Sequence, residues 1–301
     1  MRVRPALLIF VACLGPAACH DPSERIHADR DRGKPAAYVR KGPTDVAFAV
    51  VSDTHFGFEP IGSGHQRLVD GLNQLEGKSY PEDVRSSWPS NTVPPLRGLL
   101  ITGDLTERGS AAEWAQFAQY FGSLGAPGRL RIPTFEVVGN HDRWGGPYVE
   151  AQVALRHGGG RFYSFQWDRV HFLALGEAPD EEGIAFAAKD LAPLALDVPL
   201  VLYFHLPLAG PAAQGWWFAD GDYPDRLEAL LEHRNVVAFF HGHHHSTDHY
   251  RWRGYDVFRP GAVKDGTHDV AVVHITDKRF TLATYNYDSG TWVGRFDKEV
   301  E

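Results

Sequence analysis

Residues 46–55 read VAFAVVSDTH, an uninterrupted apolar run that ends in polar residues. A run this rich in β-branched and aromatic side chains predicts a strand buried on both faces of a layered α/β domain. Four further apolar runs predict strands of the same kind; they are 99–102 (LLIT), 135–138 (FEVV), 200–204 (LVLYF) and 236–240 (VVAFF). Because polar residues follow each run, we expect those residues to share one rim of the fold.

Five short polar clusters stand at the ends of these runs. They supply Asp, Asn and His side chains, a set that suits divalent metals. The clusters are Asp53-Thr54-His55, Gly103-Asp104, Gly139-Asn140-His141-Asp142, His205 and Gly242-His243-His244-His245. Residues two apart on an extended strand end point to the same face, so Asp53 and His55 are expected to reach one metal. His243 and His245 repeat that spacing, and His244 between them is expected to face away.

Helical segments separate the predicted strands. Ser110 and Glu113 have the spacing of a capping box, and apolar residues follow at helical spacing up to Phe121. A second helix is predicted over 225–233. This alternation of strands and helices favours an α/β fold with the helices outside.

The remaining segments predict antiparallel strands and one long connection. Residues 162–167 and 170–175 flank Asp168-Arg169, which predicts a tight hairpin. The C-terminal stretches alternate in polarity and predict an antiparallel meander; they are 269–276, 279–287 and 291–296. The long segment 56–96 lies between the first two clusters and is expected to form a wall of the site.

The N-terminus has the pattern of an export signal. Arg2 and Arg4 precede an apolar stretch at 6–14, and the small residues at 16–18 lead to Cys19. This resembles a bacterial lipoprotein signal in which Cys19 becomes the lipidated first residue, which would attach the protein to the membrane. A plain secretory signal, giving a periplasmic or secreted protein, and an ordinary N-terminal helix are the alternatives.

Length and composition limit the possibilities further. Residues 1–19 are predicted as the signal, 20–43 as a flexible tether and 44–301 as one folded domain. The formal net charge is -8 with no basic stripe, so no nucleic-acid partner is expected. The two cysteines, Cys13 and Cys19, both lie in the signal, which excludes thiolate catalysis and cysteine zinc sites from the domain.

The order of the five clusters resembles the calcineurin-like metallophosphoesterase family. Its signature is Asp-x-His, Gly-Asp, Gly-Asn-His-Asp/Glu, a lone His and Gly-His-x-His, and all these elements stand in that order between Asp53 and His245. The resemblance implies a four-layer α/β/β/α sandwich with mixed sheets. It also implies two divalent or trivalent transition-metal ions as cofactors, with Fe, Mn, Zn and Co all left open.

The resemblance assigns a role to each cluster residue. The first metal would be held by Asp53, His55, Asp104 and His245, and the second by Asp104, Asn140, His205 and His243. Two such cations clamp a phosphate and share a bridging hydroxide, which attacks phosphorus in line with the leaving oxygen. His141 is the family's catalytic histidine and not a ligand; it would stabilise the phosphoryl oxygens or protonate the leaving group.

Further candidates surround this set. The protein-phosphatase branch of the family carries Gly-Asp-x-x-Asp-Arg-Gly, and Glu107 stands where that branch has the later Asp. One hypothesis is therefore a Glu107–His141 dyad, and the other is that Glu107 serves the start of the next helix. Asp142 is a candidate for orienting a neighbouring backbone or ligand. The candidate substrate contacts are Arg143, Trp216 and Trp217, with the aromatic core as the alternative for the two tryptophans.

The function expected from these observations is an exported phosphatase or phosphodiesterase. Its substrate would be a small-molecule or lipid phosphoester. One alternative is a non-catalytic binding protein with the same fold, but every ligand position is filled. Another is a structural zinc protein, which the mixed Asp, Asn and His set disfavours.

Overall fold

The computed structural model describes residues 43–85, 87–122, 127–208, 218 and 221–300. Within these residues two six-stranded mixed sheets are formed. The first contains, in spatial order, Thr291–Glu299 (β12), Arg279–Asn286 (β11), Asp269–Thr276 (β10), Asp45–Val51 (β1), Leu99–Ile101 (β2) and Thr134–Glu136 (β3). The second contains Tyr163–Trp167 (β4), Val170–Ala174 (β5), Leu200–Tyr203 (β6), Val236–Phe240 (β7), Tyr255–Pro260 (β9) and Thr247–Trp252 (β8).

Helical segments connect the strands of both sheets. They are Gly64–Asn73 (α1), Glu82–Arg85 (α2), Ala111–Phe121 (α3), His141–Trp144 (α4), Tyr148–Arg156 (α5), Glu181–Leu191 (α6) and Tyr223–Leu231 (α7), with a 3-10 turn at Glu59–Ile61. The predicted capping box starts α3, because the Ser110 hydroxyl accepts from the Glu113 N–H and the Glu113 carboxylate accepts from the Ser110 N–H. The helix α7 begins two residues before the predicted 225 and ends at Leu231.

The alternating residues of β1 separate two apolar cores. Phe48 and Val50 belong to the core between the sheets, where Phe48 packs edge-on against Phe172 of β5. Ala49 and Val51 face the opposite way, into a core shared with α1, α3 and α5. A third core joins the outer face of the second sheet to α6 and α7. The layers therefore run α/β/β/α, which confirms the predicted fold.

Strand direction places the polar clusters on a common rim. The strands β1, β2 and β3 are parallel to one another, as are β5, β6 and β7. The clusters follow the carboxyl ends of β1, β2, β3, β6 and β7, so both sheets contribute to one edge of the sandwich. The strands β10, β11 and β12 pair antiparallel and confirm the predicted meander.

The predicted signal peptide, with Cys19, and nearly all of the predicted tether lie outside the described residues. In the part of the chain that the structure describes, none of the helices has both the length and the apolar character needed to span a bilayer. The boundaries at 19 and 43 remain predictions.

Candidate metal centre

Three of the clusters, the first, second and fifth, leave their strands through left-handed backbone conformations. The φ angle is 53° at Asp53, 40° at His55 and 50° at Asp104, and it is 74° at His243 and 49° at His245. These clusters are therefore not extended strand ends. The prediction that Asp53 and His55 share a face because side chains alternate along an extended strand is wrong. Non-glycine residues adopt positive φ rarely and at some cost, and such residues concentrate at functional sites.

Two glycines allow the clusters to approach one another. A Cβ added at Gly139 would overlap Oδ1 of Asp104, and one added at Gly242 would overlap Oγ of Ser52. Any other residue would therefore push apart loops that belong to different strands. The glycines of the signature thus have a steric function in addition to marking turns.

The Asp104 carboxylate lies at the middle of the cluster. Its Oδ2 is 3.4 Å from Nε2 of His55 and 3.2 Å from Nε2 of His205. Its Oδ1 accepts the backbone N–H of His141 at 2.9 Å. One carboxylate thus faces donor groups on both sides, as the predicted bridging position requires.

On one side of Asp104, side chains of the first and last clusters meet. Nε2 of His245 lies 3.5 Å from Oδ1 of Asp53, and Nε2 of His55 lies 3.9 Å from the same oxygen. Ligand atoms of Asp53, His55 and His245 all lie within 4.8 Å of one another. Three of the four residues predicted for the first metal therefore converge around one position, and Asp104 adjoins them through His55.

On the other side of Asp104, residues of three loops meet. Ligand atoms of Asp104, His205 and His243 lie within 4.8 Å of one another. Oδ1 of Asn140 is 3.1 Å from both His205 Nε2 and His243 Nδ1. His205 Nδ1 lies 2.9 Å from the Thr102 carbonyl, which can accept its proton and leave Nε2 free for a metal. All seven predicted ligands are thus brought together.

The charges in this cluster favour a cation. Burial opposes ionisation of Asp53, but the neighbouring imidazoles of His245, His55 and His205 hold its pKa well below the usual range. Burial alone would lower the pKa of His205, yet the Asp104 and Asp53 carboxylates raise it to about 10. The pKa of His243 falls to about 4 through burial and through repulsion by His205. The carboxylates therefore stabilise positive charge at the centre of the cluster.

The residues present fit a metal ion. His55 is fully buried, and its Nε2, which faces the Asp53 and Asp104 carboxylates, has no hydrogen-bond partner. A buried polar nitrogen without a partner is costly unless something satisfies it. Carboxylate, amide and imidazole donors together suit borderline transition metals.

His141 lies beside the cluster and remains partly accessible. Nδ1 of His141 is 2.7 Å from the Glu107 carbonyl oxygen. That oxygen can accept the proton on Nδ1, which fixes the ring with Nε2 on the opposite side. Burial lowers the pKa of His141, although the Asp104 carboxylate opposes the shift. The geometry also groups His141 with His55 and Asp104 as metal-type donors, so its distinction from a ligand comes from the family pattern.

The Glu107 carboxylate occupies a position that neither hypothesis anticipated. Its Oε2 is 3.9 Å from His141 Nδ1, too far for the predicted dyad, and the helix α3 is capped by Glu113 instead. Oε2 lies 2.8 Å from Nδ1 of His55 and accepts a hydrogen bond from Lys264 at 2.8 Å. The contact with His55 is close but is not aligned as a regular hydrogen bond.

The other candidates serve backbone or surface roles in the structure. Asp142 is fully buried and accepts hydrogen bonds from Leu105, Thr106 and Gly139, so it orients neighbouring backbone and lies away from the reacting position. Arg143 is bound by two carboxylates, Glu177 and Glu150, at 2.8 and 3.3 Å. The candidate substrate contacts Trp216 and Trp217 lie outside the described residues.

Sequence reasoning missed three residues near the centre. Lys264 reaches Glu107, and His65 of α1 places Nε2 2.5 Å from the Thr54 carbonyl, so the segment 56–96 supports the first cluster from outside. The Trp144 ring lies 3.7 Å from that of His141, centroid to centroid. Only Trp144 had a usable sequence signal, its position directly after the third cluster.

His241 is buried and contacts Tyr250, outside the ligand groups.

Comparison with known proteins agrees with this site. The calcineurin-like phosphoesterase family model matches residues 46–247. A probable cyclic nucleotide phosphodiesterase of Rhodopseudomonas palustris is 27% identical over 222 residues, which are 69% of this chain and 74% of that protein.

Two solved structures share the fold. GAP50, described as the anchor in the inner membrane complex of Plasmodium, has a TM-score of 0.58 at 14% identity, covering 85% of this chain and 89% of that one. Purple acid phosphatase PPD1 from seeds of yellow lupin (Lupinus luteus) has a TM-score of 0.55 at 15% identity, covering 85% of this chain and 54% of that one.

The chain belongs to the calcineurin-like phosphoesterase family, because the family model spans well over half of its residues. It is a hydrolase of phosphoester bonds whose Asp and His groups are suited to binding metal.

Proposed function

We propose that this protein is a phosphodiesterase that uses two metal ions bridged by Asp104. The observation that carries the proposal is the position of the Asp104 carboxylate, 3.4 Å from His55 and 3.2 Å from His205, each of which belongs to a different donor group. Asp53 and His245 complete one group, and Asn140 and His243 complete the other. This arrangement supports two cations sharing one carboxylate.

Two bound cations would supply neutralisation of the phosphoryl oxygens and a hydroxide as nucleophile near neutral pH. The protein's own part is to hold the ligands in place and to handle the leaving group. His141 can carry a proton at Nε2 while the Glu107 carbonyl accepts the proton on Nδ1. In that state it can stabilise a phosphoryl oxygen or protonate the departing oxygen. Asp142 joins the two loops that carry Asp104 and His141, because it accepts hydrogen bonds from backbone N–H groups of both.

A diester substrate is supported by the R. palustris relative, which is named as a probable cyclic nucleotide phosphodiesterase. A phosphomonoesterase and a non-catalytic protein are the other outcomes that the tests must separate. GAP50 is described as an anchor and has the same fold, so the fold alone does not decide between enzyme and anchor. The complete ligand set around Asp104 supports the enzyme.

The test is hydrolysis of bis(p-nitrophenyl) phosphate, p-nitrophenyl phosphate and cyclic nucleotides by the full chain after chelation and reloading with Mn²⁺, Zn²⁺ or Fe²⁺. We expect activity on the diesters that chelation removes and metal restores. Asp104→Asn should lose it, whereas Asp225→Asn, the same change on exposed α7, should keep it. Wild-type protein that binds metal and hydrolyses no ester would favour the binding protein.

We further propose that the protein is exported and attached to the membrane through lipidated Cys19. The support is the order of basic, apolar and small residues that precede Cys19. Labelling of expressing bacteria with a fatty-acid analogue should mark the wild type and leave Cys19→Ser unlabelled. Labelling of both proteins, or of neither, would contradict lipidation at this residue.

A further inference from the structure

Lys264 lies in the connection between β9 and β10 and reaches the metal centre from outside it. Its Nζ donates a hydrogen bond to Oε2 of Glu107 at 2.8 Å, and both side chains are largely buried, with 12% and 15% of their surface exposed. Its ammonium also lies 4.5 Å from the centre of the Phe58 ring. The backbone N–H of Lys264 donates to the Asp53 carbonyl at 3.1 Å, which fixes the start of the side chain.

Glu107 connects this lysine to His55. The carboxylate oxygen that accepts from Lys264 also lies 2.8 Å from Nδ1 of His55. On the other edge of the same ring, Nε2 faces the carboxylates of Asp53 and Asp104, at 3.9 and 3.4 Å. A carboxylate on the outer nitrogen of a metal-binding histidine fixes its tautomer and orientation and makes it a stronger ligand.

Two histidine rings lie near the Glu107 carboxylate. His55 Nδ1 is 2.8 Å away, and His141 Nδ1 is 3.9 Å away on a ring that stacks edge-on against His55. The Lys264 ammonium donates to the same Glu107 oxygen that contacts His55, so it favours the carboxylate position beside His55. Without it, the carboxylate would lose the hydrogen-bond donor that holds it beside the outer edge of His55.

We propose that Lys264 is a positioning residue for metal binding, which holds Glu107 against the outer nitrogen of His55. The inference rests on the proposed function, because it takes His55 as a metal ligand. Lys264 acts through Glu107 and His55 and does not contact the substrate. Its ammonium is already engaged by Glu107, which argues against use as a phosphate-binding group.

The test is calorimetric titration of Mn²⁺ into the chelator-treated full chain. Lys264→Met, which keeps the length of the side chain and removes the charge, should weaken one binding step by about 10-fold or more. Lys264→Arg should restore most of the affinity. Lys189→Met, on the exposed surface of α6, should match the wild type. Circular dichroism checks that each variant is folded.

Glu107→Gln provides a second route, which remains informative if Lys264→Met fails to fold. It should weaken the same step, and the double variant should be no weaker than Glu107→Gln alone, because both changes break one chain of contacts. Unchanged Mn²⁺ affinity in both single variants would overturn the proposal. A raised KM with unchanged Mn²⁺ affinity in Lys264→Met would also overturn it, because that result indicates a substrate contact. Wild-type protein that binds none of Mn²⁺, Zn²⁺ and Fe²⁺ would overturn the proposed function as well, so the two failures are distinguishable.

Discussion

Asp142 holds Thr106 through two hydrogen bonds from one carboxylate oxygen, at 2.8 Å from the backbone N–H and 2.7 Å from the hydroxyl. The other oxygen accepts from the Leu105 and Gly139 N–H groups. These bonds join the loop after β2 to the loop after β3. The loops carry Asp104 and His141, so the spacing of the centre depends on a residue that does not line it.

Replacing Asp142 by Ala should therefore destabilise the metal-free protein. Loss of the buried acceptor leaves several N–H groups unsatisfied, and we expect the free energy of unfolding to fall by about 2–4 kcal/mol. Burial raises the pKa of Asp142 to about 6, so the cost of burying the charged carboxylate offsets part of the stabilisation from its hydrogen bonds. Asp142→Asn should be milder. Urea unfolding measures both, and equal stability of Asp142→Ala and wild type would contradict the bracing role.

Replacing His141 by Ala should separate proton transfer from metal binding. We expect kcat to fall by about 10²–10⁴-fold with the metal content unchanged, because the family pattern assigns this side chain to the leaving group. The measurement combines metal analysis with steady-state kinetics on esters of differing leaving-group pKa, and the loss should be larger for the poorer leaving groups. A matching loss of metal would instead make His141 a ligand, as its grouping with His55 and Asp104 allows.

The Trp144 indole should contact the leaving group of the substrate. It is 63% exposed and packs against the ring of His141, which the proposed mechanism places beside the departing oxygen. Trp144→Ala should lower kcat/KM for cyclic nucleotides and nitrophenyl esters by about 5–100-fold, the range expected for loss of one stacked ring. Dialkyl phosphodiesters should be affected far less. Tyr148→Ala is the matched exposed control, and an equal loss on all esters would reject the contact.

The buried Glu136 should make stability depend on acid pH. Burial opposes its ionisation, but Arg156 and His157 lower its pKa to about 2 from an ordinary value of 4.5. Because the folded pKa is lowered, the stabilisation is complete above 4.5 and is lost as the pH falls towards 2. It should amount to about 2–4 kcal/mol. The unfolding free energies of wild type and Glu136→Gln should converge as the pH falls from 4.5 to about 2, and a constant difference would contradict the shift.

Much of the fold follows from local patterns in the sequence. The apolar runs before each cluster predict the strands, and the Ser110–Glu113 spacing predicts the start of α3, because burial and capping depend on neighbours in the chain. The hairpin turn at Asp168 was predictable for the same reason, and this residue adopts φ of 49°. The order of the clusters predicted which side chains would meet.

The arrangement around Glu107 could not be predicted in this way. Lys264 is 157 residues away in the chain and stands in no motif, so nothing local connects the two. The Glu107 carboxylate lies beside His55 where two loops with left-handed backbone at His55 and Asp104 meet, and that geometry is a tertiary effect. The dyad hypothesis located the right residue but assigned it the wrong partner.

The electron paramagnetic resonance spectrum of the Mn²⁺-loaded protein reports whether Asp104 bridges two ions. We predict two Mn²⁺ ions per chain with an exchange-coupled spectrum, because ions that share one carboxylate lie about 3.5–4 Å apart. Asp104→Asn should abolish the coupling, and Asp225→Asn should leave it intact. A single ion per wild-type chain, or two ions without coupling, would rule out a bridging Asp104.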